Sequence, residues 1–137
     1  MTRYEILINR VAEGEFIVID GATGTEMERR GVPKLEHAWN GGGTLSHPEI
    51  LCGIHEDYIR AGADIIISNT FATLKSALED AGHGHLFEAY NRRAVEIARE
   101  ARMNTGKQDV VIAGGVSHWS WSSRVPSAQE LRVNATE

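Results

Sequence analysis

The chain has 137 residues, of which 42% are hydrophobic and 24% are charged, so it is long enough to bury one hydrophobic core. Its 14 Lys and Arg residues against 19 Asp and Glu residues give a net charge of −5, which argues against partners such as nucleic acid or an anionic membrane surface. No apolar stretch approaches the ~20 residues that cross a bilayer. The single cysteine, Cys52, excludes an internal disulfide and a four-cysteine zinc site, and predicts a reducing, cytoplasmic location.

The first third of the chain predicts a helix, a strand and a second helix. Apolar residues recur at helical spacing over residues 4–11. Residues 16–19 form a continuous, mostly β-branched run, which is typical of a strand buried on both faces. Thr25 and Glu28 have the spacing of a capping box, so we expect a short helix there that ends before Pro33.

The next elements are predicted to be a loop, a helix and a second strand. Residues 34–45 show no period and include three consecutive glycines, so they are interpreted as a loop. Ser46 and Glu49 form a second capping pattern, which predicts a helix running to about Ala61. Residues 63–68 are a second apolar run and predict a buried strand.

Three further helices and a third strand complete the predicted order. Thr73 is expected to cap a short helix through Leu78, and a longer helix covers residues 85–103. Residues 109–113 predict the third strand, and residues 127–130 carry a third capping pattern before a last helix. Strands that alternate with helices indicate βαβ crossovers, so the fold class is α/β with a parallel sheet.

Polar or small residues follow each predicted strand. In parallel α/β proteins the carboxyl ends of the strands meet at one edge of the sheet, and ligands bind there. An acid at this edge can bind an ammonium group, whereas hydroxyls and an amide can bind a carboxylate, which together suit a small amino acid. The alternative is that these residues only cap strands and form turns. They are Asp20-Gly21, Ser68-Asn69-Thr70 and Gly114-Gly115.

Other site interpretations are weaker. Residues 21–25 could form a phosphate-binding turn before a helix, although they lack the third glycine of the dinucleotide motif and the lysine of the P-loop. Metal binding could involve the pair His83 and His85, or Cys52 with His55 one helical turn later. We favour exposed turn residues for the histidine pair and a small core residue for Cys52.

An ordered set of residues resembles the homocysteine S-methyltransferases, over roughly residues 16 to 116. That family includes the homocysteine domain of cobalamin-dependent methionine synthase and the betaine and S-methylmethionine enzymes. The matching residues are Asp20-Gly21-Ala22-Thr23-Gly24-Thr25-Glu26, Arg29-Arg30-Gly31, Trp39, His47-Pro48-Glu49-Ile50, His55, Tyr58, Ala61-Gly62-Ala63-Asp64-Ile65-Ile66 and Ser68-Asn69-Thr70-Phe71.

The resemblance implies a TIM (β/α)8 barrel of about 250 residues, of which this chain would supply about three βα units. Residues 1–137 are accordingly expected to be a single partial homocysteine-binding barrel domain, the N-terminal part of the barrel. The family transfers a methyl group from a donor such as S-methylmethionine or a methylfolate to the homocysteine thiol, giving methionine. Zinc holds the thiol as a thiolate in the family, so zinc is the implied cofactor and the partners are small molecules.

The resemblance also assigns roles to substrate-binding residues. Asp20 matches the contact to the substrate amino group, with the backbone of Gly21 beside it. Ser68, Asn69, Thr70 and Phe71 match the part of the pocket that holds the amino acid. No catalytic residue and no metal ligand is assigned in this chain.

Several features depart from the family pattern. The zinc-binding cysteines, including a pair after Gly-Gly, are absent here, so we expect the chain alone not to catalyse methyl transfer. Ala72 stands where the betaine enzymes carry tyrosine, which argues against betaine as the donor. Trp119 and Trp121 could line a pocket or pack under a loop.

Two rival hypotheses remain open at this point. One is a non-catalytic half-barrel that self-associates through open sheet edges or pairs with a partner chain. The other is a different small-molecule barrel enzyme that uses the same N-terminal half.

Overall fold

The computed structural model describes residues 1–117 and 127–136, so Trp119 and Trp121 lie outside the described residues. Its helices are α1 (Arg3–Ala12), α2 (Thr23–Arg29), α3 (Gly43–Ser46), α4 (Pro48–Arg60), α5 (Lys75–Asp80), α6 (Phe87–Asn104) and α7 (Ala128–Thr136). The strands are β1 (Ile65–Ile67) and β2 (Val111–Ala113), and two short 3-10 turns cover Asn40–Gly42 and Gly84–Leu86.

The sheet is parallel, as the sequence predicted. β1 and β2 pair with Ile65 opposite Val111 and Ile67 opposite Ala113, and α5 and α6 form the crossover between them. The segment 16–19 joins the other side of β1 through a parallel bridge between Ile19 and Ile65. An α/β fold with parallel strands is therefore confirmed, while the closed barrel stays a prediction.

The prediction that residues 16–19 form a strand buried on both faces was wrong. The segment makes one isolated bridge, and the side chain of Phe16 is 94% exposed and that of Ile19 is 58% exposed. The physical reason is position: within the described part of the chain, this segment is the outermost of the sheet, and its side chains lie open to solvent.

The core lies between the sheet and the pair α4 and α6. Ile59 of α4 packs with Ile66 of β1 and with Ala98 and Ala101 of α6. These small alanine side chains allow the two long helices to approach each other closely. A second cluster joins α2, α4 and α6 through Met27, Leu51, Ile54 and Ile97. The carboxyl ends of β1 and β2 are thereby held against a rigid layer.

Three predicted helix caps were wrong, although the helices exist. α2 begins at Thr23, so Thr25 lies inside it and makes no cap. Ser46 donates to the carbonyl of Gly42 at 3.1 Å and lies in α3, while His47 precedes α4. Thr73 does not cap α5, because its hydroxyl contacts Asn91 at 2.8 Å instead.

Capping boxes occur at two other helices. The predicted one at Ser127 and Glu130 is confirmed, with both reciprocal hydrogen bonds present. An unpredicted one joins Thr2 and Glu5 at the start of α1. The predicted loop over residues 34–45 is partly helical, since it contains the 3-10 turn and the start of α3. None of the described helices combines the length and apolar character that crossing a membrane requires.

Candidate functional site

A cavity of about 310 Å³ opens at the carboxyl ends of β1 and of the segment 16–19. It is lined by five of the six residues that the sequence predicted as substrate-binding. These are Asp20, Gly21, Ser68, Asn69 and Phe71. Thr70 does not line this cavity and instead borders a separate groove beside α6.

Asp20 carries the most informative side chain of the cavity. It is 9% exposed, and its Oδ2 accepts a hydrogen bond from the backbone N–H of Ile67 at 2.8 Å. Its Oδ1 is buried and has no hydrogen-bond donor among the described residues. Burial raises the pKa of the Asp20 carboxyl above its ordinary value, and the Ile67 N–H opposes that rise. A cationic ligand that donates to Oδ1 would satisfy this oxygen and favour the carboxylate.

Gly21 lies close to Tyr58 of α4. A Cβ at this position would lie 2.8 Å from the Tyr58 hydroxyl oxygen, so the Tyr58 side chain would have to shift. Tyr58 donates to the carbonyl of Ala22 at 3.4 Å and so fixes the turn that follows Asp20. Burial, and then the nearby carboxylates of Glu26 and Asp20, raise the pKa of Tyr58 above its ordinary value.

The polar side chains after β1 bind to the protein itself. The Ser68 hydroxyl donates to the carbonyl of Ala113 at 3.2 Å. Asn69 donates through Nδ2 to the Asn40 carbonyl and to the Thr44 hydroxyl, both at 3.1 Å. These donors are therefore engaged in joining β1 to β2 and to the 3-10 turn. The contact to a substrate carboxylate that we expected from them stays a prediction.

Thr70 is engaged in the same way. Its Oγ1 donates to the Gly115 carbonyl at 2.7 Å and accepts from the Gly115 N–H at 2.9 Å. This double link closes the loop after β1 onto the loop after β2. Thr70 therefore shapes the edge of the sheet, and its predicted contact to the substrate stays a prediction.

Sequence reasoning did not assign Trp39 and Asn40 to the site, yet both line the cavity. Trp39 adopts a positive φ of 42°, which is uncommon for a bulky residue, and its indole N–H donates to Glu28. Asn40 donates through Nδ2 to the Gly24 carbonyl at 2.6 Å and to Glu28 at 3.1 Å. The available signal was an aromatic residue beside an amide in a glycine-rich stretch.

The described residues do not provide a zinc site. Within that part of the chain, no group of three or more His, Cys, Asp or Glu side chains is placed to hold a metal ion. Cys52 lies on α4 outside the cavity, and burial, then Glu56, raises the pKa of its thiol to about 11. His55 is fully buried, and its ring nitrogens have no hydrogen-bond partner in the described structure. This donor set does not fit zinc.

Comparison with known proteins assigns the family. Residues 17–133 match the family model described as homocysteine S-methyltransferase. The chain belongs to the homocysteine S-methyltransferase family. The resemblance identified from the sequence is therefore confirmed.

Among curated relatives, a selenocysteine methyltransferase of Astragalus bisulcatus is 40% identical over 90 residues, covering 65% of this chain and 27% of the relative. A betaine–homocysteine S-methyltransferase 1 of Danio rerio is 32% identical over 128 residues, covering 92% of this chain and 31% of the relative. The chain spans about a quarter to a third of the length of the curated relatives it matches.

A solved structure supports the fold at the level of coordinates. The metallated form of the Escherichia coli homocysteine methyltransferase MmuM superposes with a TM-score of 0.70 at 26% identity. The match covers 86% of this chain and 42% of that one. The E. coli homocysteine methyltransferase is thus known in a metal-bound state.

Proposed function

We propose that the cavity binds the amino-acid part of homocysteine, with the Asp20 carboxylate facing its ammonium group. The whole protein then transfers a methyl group from a donor to the homocysteine thiol, giving methionine. In that transfer the bond between donor and methyl breaks, a sulfur–methyl bond forms, and the thiol proton is released. The observation that carries the proposal is the buried Oδ1 of Asp20, which lacks a hydrogen-bond donor in the described structure. Asp20 lines the cavity and lies within the residues that match the family model.

The cavity also bears on the methyl donor. Ala72 lines it and is largely buried, where the resemblance places a tyrosine in the betaine enzymes. Ala72 offers no aromatic face to a quaternary ammonium at this position, and the aromatic residues of the cavity are Trp39 and Phe71. We therefore favour S-methylmethionine or a methylated folate as the donor over betaine.

We expect residues 1–137 alone, as a partial barrel domain, not to form methionine. The described residues supply no zinc-ligand set, and a free thiol with a pKa of about 8.5 is mostly protonated near neutral pH. An assay of the isolated chain with zinc, homocysteine and S-methylmethionine tests this, and robust turnover would contradict it.

The cytoplasmic location expected from the sequence stays a prediction.

Calorimetric titration of the chain with L-homocysteine tests the binding proposal. We expect Asp20→Asn to weaken binding by about 10- to 100-fold, because the variant removes the charge that pairs with the ammonium. Asp80→Asn is the matched control, since Asp80 is exposed on α5 and loses the same charge outside the cavity. Equal affinities of the wild type and Asp20→Asn would remove the assignment.

Selenocysteine is a second candidate acceptor, because the relatives with 37% and 40% identity are named for selenocysteine methylation. It carries the same ammonium and carboxylate as homocysteine and differs in its chalcogen and by one methylene. Titration of the same chain with both amino acids separates the two. Tighter binding of L-selenocysteine would make it the preferred acceptor.

The third candidate is a non-catalytic half-barrel that self-associates. The specific observation in its favour is the exposure of large apolar side chains on the segment 16–19 and in the loop after β2, including Phe16 and Val116. Exposed apolar side chains of this size favour association with another surface. Sedimentation velocity of the wild-type chain over a range of concentrations tests it.

A further inference from the structure

Asn40 has a fixed orientation in the wall of the cavity. It lies in the 3-10 turn Asn40–Gly42 and is 1% exposed. Its Nδ2 donates to the Gly24 carbonyl at 2.6 Å and to Glu28 Oε1 at 3.1 Å, which uses both amide protons. Exchanging the amide oxygen and nitrogen would place an oxygen against two acceptors, so the assignment of the two atoms is determined by these contacts.

Glu28 holds this arrangement from outside the cavity. It accepts from the Trp39 indole N–H as well as from Asn40, and it forms an ion pair with Lys34 at 3.2 Å. The hydrogen bond from Trp39 is the main influence that keeps the pKa of the Glu28 carboxyl below its ordinary value. The ionised carboxylate therefore stabilises both cavity residues, and Glu28 is a positioning residue.

The side-chain oxygen of Asn40 is left without a donor. Among the described residues, Asn40 Oδ1 and Asp20 Oδ1 are both buried acceptors that lack a hydrogen-bond partner, and both residues line the same cavity. Buried carbonyl and carboxylate oxygens are rarely left unpaired, because each loses its hydrogen bonds to water on burial. Two such acceptors in one cavity match a ligand that brings at least two N–H donors.

We infer that Asn40 Oδ1 accepts a second N–H from the ligand ammonium, beside the one that Asp20 accepts, so that the cavity selects a primary ammonium. A primary ammonium presents three N–H groups, whereas an N,N-dimethylated amine presents one when protonated. The inference rests on the proposed function, since it concerns the group that Asp20 binds. It makes Asn40 a specificity-determining residue for the amino acid.

The test compares two ligands on two proteins. L-Homocysteine and N,N-dimethyl-L-homocysteine are titrated into the wild-type chain and into Asn40→Leu. We expect Asn40→Leu to bind homocysteine about 10- to 100-fold more weakly, because one charge-assisted hydrogen bond is lost. The affinity for the dimethylated ligand should change less than about threefold, since its single N–H is taken by Asp20.

If Asn40 has only a structural role, Asn40→Leu should lower the affinity for both ligands by the same factor, and that result would overturn the inference. Unchanged homocysteine affinity in Asn40→Leu would also overturn it. Asn104→Leu is the matched control, because Asn104 lies at the end of α6 and contacts Glu56 outside the cavity. Thermal unfolding of each variant shows whether it is folded.

A second measurement uses the wild-type chain and does not depend on the variant folding. With 13C-labelled asparagine, homocysteine should shift the Asn40 Cγ resonance, whereas the dimethylated ligand should not. The signals of Asn91 and Asn104 serve as internal references. An Asn40 signal that homocysteine leaves unchanged contradicts the inference.

The outcomes separate this inference from the function it rests on. If Asp20→Asn loses binding while Asn40→Leu keeps it, the proposed function stands and the inference fails. If the wild-type chain binds no homocysteine, both are overturned.

Discussion

Asp20 combines a structural contact and a free acceptor in one side chain. Its Oδ2 accepts from the Ile67 N–H at the end of β1, which fixes the carboxylate at the cavity, while Oδ1 has no donor among the described residues. This geometry orients the second oxygen before any ligand arrives, so little side-chain entropy is lost on binding. The same burial raises the pKa of the carboxyl, and a bound ammonium would reverse that effect.

The sequence predicted part of this site. Asp20, Gly21 and Ser68 could be identified because strands of a parallel sheet end at one edge. Trp39 and Asn40 could not be identified, because they lie at a turn whose sequence has no apolar period. Their placement depends on Glu28 and Gly24, which are 11 to 16 residues away along the chain.

His55 is a second buried residue with a chemical consequence. Neither ring nitrogen has a partner in the described structure, and burial lowers the pKa of His55 to about 4 from an ordinary 6.5. As the pH falls below about 6.5, His55 in the unfolded chain takes up a proton. In the folded chain His55 takes up that proton only when the pH nears 4. The contribution of His55 to stability is therefore complete above about pH 6.5 and is lost as the pH falls towards 4.

We expect this proton linkage to lower the free energy of unfolding of the wild type by about 2 kcal/mol between about pH 7.5 and pH 5. His55→Leu should lack that part of the decrease, since leucine does not titrate. Urea denaturation at both pH values measures it, with His85→Leu as an exposed histidine control. Identical pH dependence in the wild type and His55→Leu would contradict the account.

At the level of elements, the Thr70 hydroxyl makes two of the hydrogen bonds that link the loops after β1 and β2, beside the one that Ser117 donates to the Phe71 carbonyl. Thr70 both donates to and accepts from the backbone of Gly115. Removing it leaves a partly buried carbonyl and N–H unsatisfied. Valine keeps the shape of threonine and removes only the hydrogen-bonding group, so the substitution isolates this link.

We expect Thr70→Val to lower the free energy of unfolding by about 1–2 kcal/mol. Thr25→Val should change it by less than about 0.5 kcal/mol, because Thr25 is exposed inside α2. Chemical denaturation of the two variants gives both values. A loss at Thr25 equal to that at Thr70 would show that Thr25 caps a helix after all.

Helix caps show why local patterns predict some elements and not others. Ser or Thr is followed three residues later by Glu at several positions. The patterns at Thr2 and Ser127 form the box, whereas those at Thr25 and Ser46 do not. At residue 25 the helix had already begun, and Glu28 instead contacts Trp39 and Asn40. The Glu28 carboxylate thus makes tertiary hydrogen bonds instead of the local one of a capping box. The spacing of Thr25 and Glu28 does not show which of the two contacts forms.

At the scale of the whole molecule, large apolar side chains are exposed on the segment 16–19 and in the loop after β2. Phe16 is 94% exposed and Val116 is 82% exposed. The parallel direction of the strands could be predicted, because strands alternate with helices along the sequence. The exposure of residues 16–19 could not, because burial of a strand depends on neighbours that its own sequence does not specify.

If these exposed side chains contact other copies of the chain, the wild type should associate with rising concentration in sedimentation velocity. The double variant Phe16→Lys with Val116→Lys should sediment as a monomer, because charged side chains oppose burial. Met103→Lys is the control, since Met103 is exposed on α6. A wild type that stays monomeric at all concentrations would contradict self-association.

The pKa of the Asp20 carboxyl, followed by 13C NMR with and without L-homocysteine, tests the ammonium contact most directly. In the free chain the pKa should lie above the ordinary value for aspartate, because the group is buried. Saturation with homocysteine should lower it, because a bound ammonium stabilises the carboxylate. A pKa that homocysteine leaves unchanged, or raises, would contradict the proposed site.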